Sequence, residues 1–179
     1  MTELDRRWLG AVLTGGASRR MGRDKATLPI DGVPMAVRVA EALVAAGATE
    51  VICVGPAVGT LDGLADDHPG EGPLGGLLTA LAWAGDRVVV VAPCDLLTPD
   101  PAAFATLAAA ADPVAASLAA RPLPIGIRAA ALEPLRGAFA AGERSIRRAL
   151  ASTGVPVVEV ALPAAALADA DSRADLSGR

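Results

Sequence analysis

Short apolar runs alternate along the chain with segments that repeat apolar positions at helical spacing. The first part predicts a buried strand over 8–14, a helix over 34–46 and a second strand over 50–54. A strand, a helix and a strand in this order form the parallel βαβ unit. We therefore expect a sheet whose parallel strands are connected by helices.

The alternation continues through the rest of the chain. Val88–Val91 is the centre of a strand over 87–92, and successive valines are expected where helices cover both faces of a parallel strand. The other predicted elements are helices over 74–84, 101–111, 130–140 and 145–151, short strands over 114–118 and 124–127 that could pair, and a last strand over 157–162. Together they predict an α/β fold of three layers, αβα, around a mostly parallel twisted sheet, in a single domain over 1–179.

Composition and charge exclude several classes of function. The formal net charge is -4, so the chain offers no general field for nucleic acid or for an anionic membrane. Aromatic residues make up 2% of the chain, which argues against base stacking on aromatic platforms. Cys53 and Cys94 lack CxxC spacing, and no apolar run has the length of a signal core or a membrane span. We expect a cytoplasmic protein that binds neither nucleic acid nor membrane.

One basic loop contrasts with this acidic background. Lys25 is the only lysine beside fifteen arginines, and Arg19, Arg20 and Arg23 precede it within the same seven residues. A lysine is a compact charge that can lie between phosphate oxygens, whereas the arginine fork suits bidentate partners. The loop therefore predicts a local site for an anionic small ligand.

The same loop begins with a pair of glycines. Gly15 and Gly16 directly follow the first predicted strand. Glycine lets backbone N–H groups approach an oligophosphate because no Cβ blocks the approach. The loop matches neither the Walker pattern GxxxxGK[ST] nor the dinucleotide pattern GxGxxG. The sequence thus disfavours an ATPase of that type and a dehydrogenase.

Acidic residues follow later strands. Asp95 comes shortly after the valine-rich strand, and Asp66 and Asp67 precede the turn at Gly72–Gly76. The carboxyl ends of parallel strands meet at one sheet edge, where open α/β sheets bind ligands. Asp95 is the candidate ligand for Mg²⁺, which prefers oxygen donors and shares them with phosphates. Asp66 and Asp67 form a second acidic candidate, although such residues are also found as solvated loop carboxylates.

Blocks in a fixed order carry a resemblance to a known family. They are LTGGASRRMGRDKA at 13–26, GPLGGL at 72–77, PCDLL at 93–97, RPLPIGIRAAALEPL at 121–135 and AGERSIRRAL at 141–150. The chain resembles the molybdenum cofactor guanylyltransferases over nearly its whole length. The resemblance implies a Rossmann-like fold of the nucleotide-diphospho-sugar transferase type, with a nucleotide-binding half over about 8–100 and an acceptor-binding half over about 101–179.

The resemblance also implies an activity. It is the transfer of GMP from GTP to the terminal phosphate of molybdopterin, with release of pyrophosphate and a requirement for Mg²⁺. Enzymes that insert molybdenum or accept the finished cofactor are further partners that it suggests. A phosphate monoester is already anionic at neutral pH, so attack on the α-phosphorus needs no general base, and catalysis rests on positioning and charge neutralisation.

The family's functional positions can be placed on this sequence. The nucleotide-binding residues are Leu13, Gly15, Gly16, Lys25 and, on the guanine side, Asp66. Asp95 matches the magnesium ligand, and Arg19 is the loop arginine that we add as a phosphate contact. Lys25, Asp95 and Arg19 are therefore the catalytic candidates. Arg144 and Arg147 lie in the block that faces the pterin, where they would anchor the acceptor phosphate.

The sequence departs from the family pattern in two places. The second strand ends in Val54 and Gly55 where some members place asparagine near the nucleotide. Asp169 and Asp171 stand where the family commonly has an asparagine pair. Carboxylates in place of amides remove hydrogen-bond donors and add negative charge. We expect these departures to change the pterin or metal end of the site more than the nucleotide loop.

Alternative functions stay open at this point. One keeps the chemistry but uses CTP as donor, or a sugar or alditol phosphate as acceptor. Relatives that transfer CMP typically carry alanine at the place of Gly15, so Gly15 followed by the Asp24-Lys25 pair favours guanine. Another is a non-catalytic nucleotide-binding adapter that has kept the loop while the departures have cost it turnover.

Overall fold

A computed structural model describes residues 7–15, 25–118 and 121–170 of the chain. The strands are β1 (Leu9–Leu13), β2 (Pro29–Ile30), β3 (Val33–Pro34), β4 (Val51–Val54), β5 (Gly63–Leu64), β6 (Val89–Pro93), β7 (Val114–Ala116), β8 (Ile125–Ile127) and β9 (Val157–Glu159). The α-helices are α1 (Met35–Ala45), α2 (Pro73–Ala84), α3 (Pro101–Ala110), α4 (Leu132–Ala140) and α5 (Ile146–Thr153).

The main sheet has the strand order β5-β4-β1-β6-β8-β7-β9. The first four neighbours are parallel, β8 runs antiparallel to both β6 and β7, and β9 is parallel to β7. The mostly parallel sheet is confirmed, and the two short strands expected after residue 113 do pair with each other. β1 and β6 lie inside the sheet, which agrees with their continuous apolar sequences.

Helices cover both faces of the sheet. On one face α1 and α3 pack Leu43 and Phe104 against Val12 and Val90. On the other face α2, α4 and α5 pack residues such as Leu77, Leu135 and Leu150 against strand residues such as Leu9 and Val89. Neighbouring valines of β6 point to opposite faces because side chains alternate along a strand. The three-layer architecture is therefore confirmed.

Small elements differ from the sequence expectations. The β2–β3 ribbon was not predicted, although its Asp31-Gly32 turn, with φ values of 52° and 82°, is the pair that tight hairpin turns favour. β5 was also missed because a strand of two residues leaves no periodic signal. The last strand ends at Glu159 rather than at residue 162. Within the described residues, no helix is long and apolar enough to cross a membrane.

Parallel register brings four strand ends together at one sheet edge. Leu13 pairs with Val54 on one side and with Pro93 on the other, and Val54 pairs with Leu64. The loops that follow these residues therefore begin side by side. This edge is where the ligand-binding residues of an open α/β sheet are expected.

The close packing of α3 on β8 yields a stability prediction. A Cβ at Gly126 would lie 2.3 Å from the carbonyl oxygen of Leu107, so Gly126→Ala forces strand and helix apart. We expect the free energy of unfolding to fall by about 3 kcal/mol, the upper range for overpacking, as measured by urea denaturation. The matched control is Gly137→Ala in α4, where nothing lies within 4 Å of the new Cβ. That change should be neutral or stabilise by about 0.5–1 kcal/mol, and equal effects of both changes would contradict the prediction.

Candidate nucleotide-binding site

The end of β1 is locked to the end of β4. The backbone N–H groups of Thr14 and Gly15 both donate to the carbonyl oxygen of Val54, at 3.0 and 3.1 Å. The buried Thr14 hydroxyl donates to the carbonyl oxygen of Pro56 at 2.9 Å. The amide of Gly15 is thus used inside the fold, so phosphate-binding amides would have to come from later loop residues. Gly16 and Arg19 lie outside the described residues.

Gly55 follows the end of β4 and lies directly against Gly15. Its φ is 115°, a conformation that side-chain-bearing residues rarely adopt. A Cβ here would lie 2.6 Å from the nitrogen of Gly15 and 3.0 Å from the Thr14 hydroxyl oxygen. Glycine therefore lets the end of β4 contact the opening loop directly. An asparagine at position 55 could not be placed without moving that loop.

Asp66 lies beside Gly15, the first residue after β1 and Thr14. A Cβ built on Gly15 would be 3.7 Å from Asp66 Oδ2. The other oxygen, Oδ1, accepts hydrogen bonds from the backbone N–H of His68 at 2.9 Å and from the hydroxyl of Thr79 at 3.1 Å. One oxygen of the carboxylate is fixed by the protein, while the second faces the loop.

Lys25 and Asp95 form an ion pair. Lys25 Nζ lies 3.0 Å from Asp95 Oδ2, and their side chains are 15% and 19% exposed. The same ammonium donates to the carbonyl oxygen of Ala170 at 2.7 Å. The structure therefore brings the two catalytic candidates that it describes into direct contact.

The C-terminal segment, residues 168–170, is hydrogen-bonded to the residues that follow β6. The N–H of Ala170 donates to the carbonyl oxygen of Asp95, and the N–H of Leu97 donates to that of Ala168, each at 2.9 Å. Between them, Asp169 forms a salt bridge with Arg121. Arg121 thereby compensates the charge that Asp169 adds at a position where the family commonly has asparagine. Asp171 lies outside the described residues.

The acceptor candidates lie near the start of α2 and in the first turn of α5. Arg144 donates to the carbonyl oxygens of Phe139 and Glu143 at 2.8 and 2.9 Å, and forms a salt bridge with Glu71. Its guanidinium carbon lies 3.9 Å above the centre of the Phe139 ring. Arg147 is exposed in the first turn of α5. Arg144 is thus held beside the turn that starts α2, since Gly72 lies against it.

His68 has a structural role that the sequence did not reveal. His68 is the only histidine of the chain, and its polar loop predicts an exposed side chain, but it is half-buried. Its ring centre lies 4.5 Å from that of Phe139, and its Cβ would be 2.7 Å from a Cβ on Gly75. It connects the Asp66 loop to α2 and α4. Thr79 was also missed, although it is the only hydroxyl residue within the apolar segment 73–84.

Glu143 organises the start of α5. Its carboxylate accepts hydrogen bonds from the Arg148 side chain at 2.8 and 2.9 Å and from the backbone N–H groups of Ser145 and Arg144 at 2.7 and 2.8 Å. The Arg148 contact, followed by the Ser145 N–H, lowers the pKa of Glu143 from 4.5 to about 2. The same contact raises the pKa of Arg148. The basic residues 144 and 148 therefore already have acidic partners in the structure.

The fold and this sheet edge define an open α/β protein with a candidate ligand site at the carboxyl ends of its parallel strands. Residues 10–160 match the MobA-like NTP transferase domain, and the chain belongs to that family. The fold also resembles the crystal structure of molybdopterin-guanine dinucleotide biosynthesis protein A from Archaeoglobus fulgidus. The TM-score is 0.66, with 23% identity over 85% of this chain and 82% of that one.

Sequence relatives agree with this family. The molybdenum cofactor guanylyltransferase of Xanthomonas euvesicatoria is 46% identical over 94 residues, which cover 52% of this chain and 49% of the relative. The probable molybdenum cofactor guanylyltransferase of Deinococcus radiodurans is 38% identical over 149 residues, 76% of each chain. The matched stretch thus spans about half the length of the first of these relatives and three quarters of the second.

The Glu143 cluster predicts a pH dependence of stability. The folded-state pKa of about 2 is below the ordinary value of 4.5, so the cluster stabilises the fold above about pH 4.5. This contribution is lost as the pH falls through about 2. We expect Glu143→Gln to lower the thermal unfolding midpoint at pH 7, and the difference from the wild type to shrink between pH 4.5 and pH 2. A difference that stays constant over this range would contradict the assignment. Glu133→Gln, at an exposed ion pair on α4, is the control.

Proposed function

We propose that this protein transfers GMP from GTP to the terminal phosphate of molybdopterin and releases pyrophosphate. The observation that carries the proposal is the convergence of Lys25, Asp95 and Asp66 at the sheet edge where β1 ends. The proposal is supported by the family to which the chain belongs and by the names of relatives with similar sequences. We also propose that the protein acts in the cytoplasm, on cytoplasmic GTP.

The reaction joins two anions. An oxygen of the acceptor phosphate attacks the α-phosphorus of GTP, the bond from that phosphorus to the bridging oxygen breaks, and pyrophosphate leaves with the electron pair. The acceptor phosphate is deprotonated at neutral pH, so the step needs no general base. The protein must instead hold both anions close together and neutralise charge that develops on the leaving group.

Lys25 is the cation that the described residues offer for this task. Its ammonium neutralises Asp95 in the structure and is held by the Ala170 carbonyl oxygen as well. When GTP binds, this ammonium would move from Asp95 toward the oxygens of the triphosphate. A compact ammonium suits that exchange because it can bond to several oxygens without a fixed planar geometry.

The residues around Lys25 also fit Mg²⁺. A carboxylate oxygen of Asp95 and the carbonyl oxygen of Ala170 already converge on a cation, and both are the hard oxygen donors that Mg²⁺ prefers. Among the described residues, no group of three or more His, Cys, Asp or Glu could hold a metal alone. Asp95 would therefore hold the ion together with nucleotide phosphates, where bound Mg²⁺ supplies further charge neutralisation.

The base and the acceptor would be held by different residues. Asp66 offers a carboxylate oxygen, which accepts hydrogen bonds and therefore suits the N–H edge of guanine. Arg144 and Arg147 supply positive charge near the start of α2 and α5 for the phosphate of the acceptor. Arg121 pairs with Asp169, so the carboxylate at that position adds little repulsion toward an anionic substrate. Transfer to molybdenum-inserting or cofactor-accepting enzymes would follow release of the product.

A direct assay tests the proposal. Purified protein is incubated with Mg²⁺, molybdopterin and either GTP or CTP, and pyrophosphate release is measured together with nucleotide binding. We expect release with GTP and little with CTP. A clear preference for CTP would contradict the choice of donor. Binding of GTP without release of pyrophosphate would support an adapter instead of an enzyme.

Substitutions test the roles of the ion pair. Lys25→Ala and Asp95→Asn should each lower the rate of pyrophosphate release by about 10²–10³-fold, because each removes preorganised charge stabilisation. Arg136→Ala is the control, since it removes an exposed cation that pairs with Glu133 on α4. Thermal unfolding of each variant shows whether the protein is still folded. Near-normal turnover of Asp95→Asn would exclude Asp95 as the magnesium ligand.

A further inference from the structure

The two carboxylate oxygens of Asp66 have different surroundings. Oδ1 accepts two hydrogen bonds, from the N–H of His68 and from the hydroxyl of Thr79. Among the described residues, Oδ2 accepts none, and it lies 3.7 Å from the place of a Cβ on Gly15. A carboxylate can rotate between these arrangements unless one oxygen is fixed. The partners of Oδ1 therefore decide where Oδ2 points.

Thr79 is the side chain that fixes Oδ1. It lies in α2 and is 3% exposed, so its hydroxyl has no access to bulk water as an alternative partner. The hydroxyl oxygen accepts a hydrogen bond from the N–H of Asp67 at 3.1 Å. Its proton can reach either Asp66 Oδ1 at 3.1 Å or the carbonyl oxygen of Gly75 at 3.3 Å. The charged and nearer acceptor is favoured, because hydrogen bonds to ionised groups are the stronger ones.

The hydrogen bonds to the loop fix the direction of the hydroxyl. A threonine in a helix has two favoured χ1 rotamers, and the contacts with Asp66 and Asp67 select one of them. With one hydroxyl, Thr79 contacts two successive residues of the loop, Asp66 and Asp67. These hydrogen bonds hold the loop that contains Asp66 to the buried helix α2. They do so at Asp66 itself, which lies beside Gly15.

We propose that Thr79 is a positioning residue for donor-base selection. It holds Asp66 Oδ1, so that Oδ2 is presented to a purine edge that carries N–H donors, the guanine edge. This inference rests on the proposed function. A fixed acceptor discriminates against a base that places a carbonyl oxygen at the same edge, because two acceptors then face each other without a proton between them. Xanthine differs from guanine in this way, with an oxygen in place of the amino group.

The test compares GTP and XTP as donors in the pyrophosphate-release assay. Thr79→Val removes the hydroxyl and keeps the volume, and we expect it to lower the GTP-to-XTP ratio of kcat/KM by about tenfold. The loss should lie mainly in the KM for GTP, because base contacts stabilise the ground state and the transition state alike. Thr79→Ser keeps the hydroxyl and should restore most of the ratio.

A matched control separates positioning from general stability. Thr106→Val makes the same change in α3, where the hydroxyl donates to the Ala102 carbonyl oxygen at an exposed position. It should leave the GTP-to-XTP ratio unchanged. In a variant that already carries Asp66→Asn, Thr79→Val should no longer change the ratio, since the carboxylate that it positions is gone. If Thr79→Val does not fold, Thr79→Ala serves in its place.

The outcomes distinguish the two proposals. Wild-type protein that releases no pyrophosphate from GTP would contradict the proposed function itself. Wild-type activity, with a thermal midpoint lowered by Thr79→Val but an unchanged GTP-to-XTP ratio, would leave the function intact and overturn the role of Thr79. A reduced ratio that serine restores supports the inference.

Discussion

The ammonium of Lys25 joins segments that are far apart in sequence. It pairs with Asp95 at the end of β6 and bonds to the carbonyl oxygen of Ala170 in the C-terminal segment. Both charged side chains are less than one fifth exposed, at 15% and 19%, so leaving either without its counterpart would cost more than at the open surface. One cation at residue 25 therefore connects the residues that follow β6 with the C-terminal segment.

On the proposed function, the charges of Lys25 and Asp95 would contribute both to folding and to catalysis. Lys25 stabilises Asp95 in the structure, and a triphosphate offers that ammonium a stronger anion. When the ammonium turns to the phosphates, the Asp95 carboxylate needs a new cation, and the oxygen donors there suit Mg²⁺. On the proposed function, a bound Mg²⁺ would restore the charge balance that is disturbed when Lys25 turns from Asp95 to the nucleotide.

Sequence pattern predicted the architecture better than the details of the site. Apolar segments such as β6 and α2 are long enough to be recognised in the sequence, whereas β5 has two residues and left no signal. Lys25, Asp66 and Asp95 could be found because loop position and residue type suggest their chemistry. The Lys25–Asp95 contact and the Thr79–Asp66 hydrogen bond could not, because they depend on which residues the sheet order places side by side. The functional roles of all the site candidates stay predictions, and Gly16 and Arg19 lie outside the described residues.

The glycines of the GPLGGL block are explained by packing rather than by phosphate binding. A Cβ on Gly75 would lie 2.7 Å from the Cβ of His68, and one on Gly76 would lie 3.1 Å from Leu13 Cδ2. The start of α2 can therefore contact both the Asp66 loop and the end of β1. Beyond it, the His68 ring packs on Phe139, which in turn carries the guanidinium of Arg144. Because the start of α2 packs against His68, a larger residue at Gly75 would displace His68 and disturb its contacts with Asp66 and with Phe139 together.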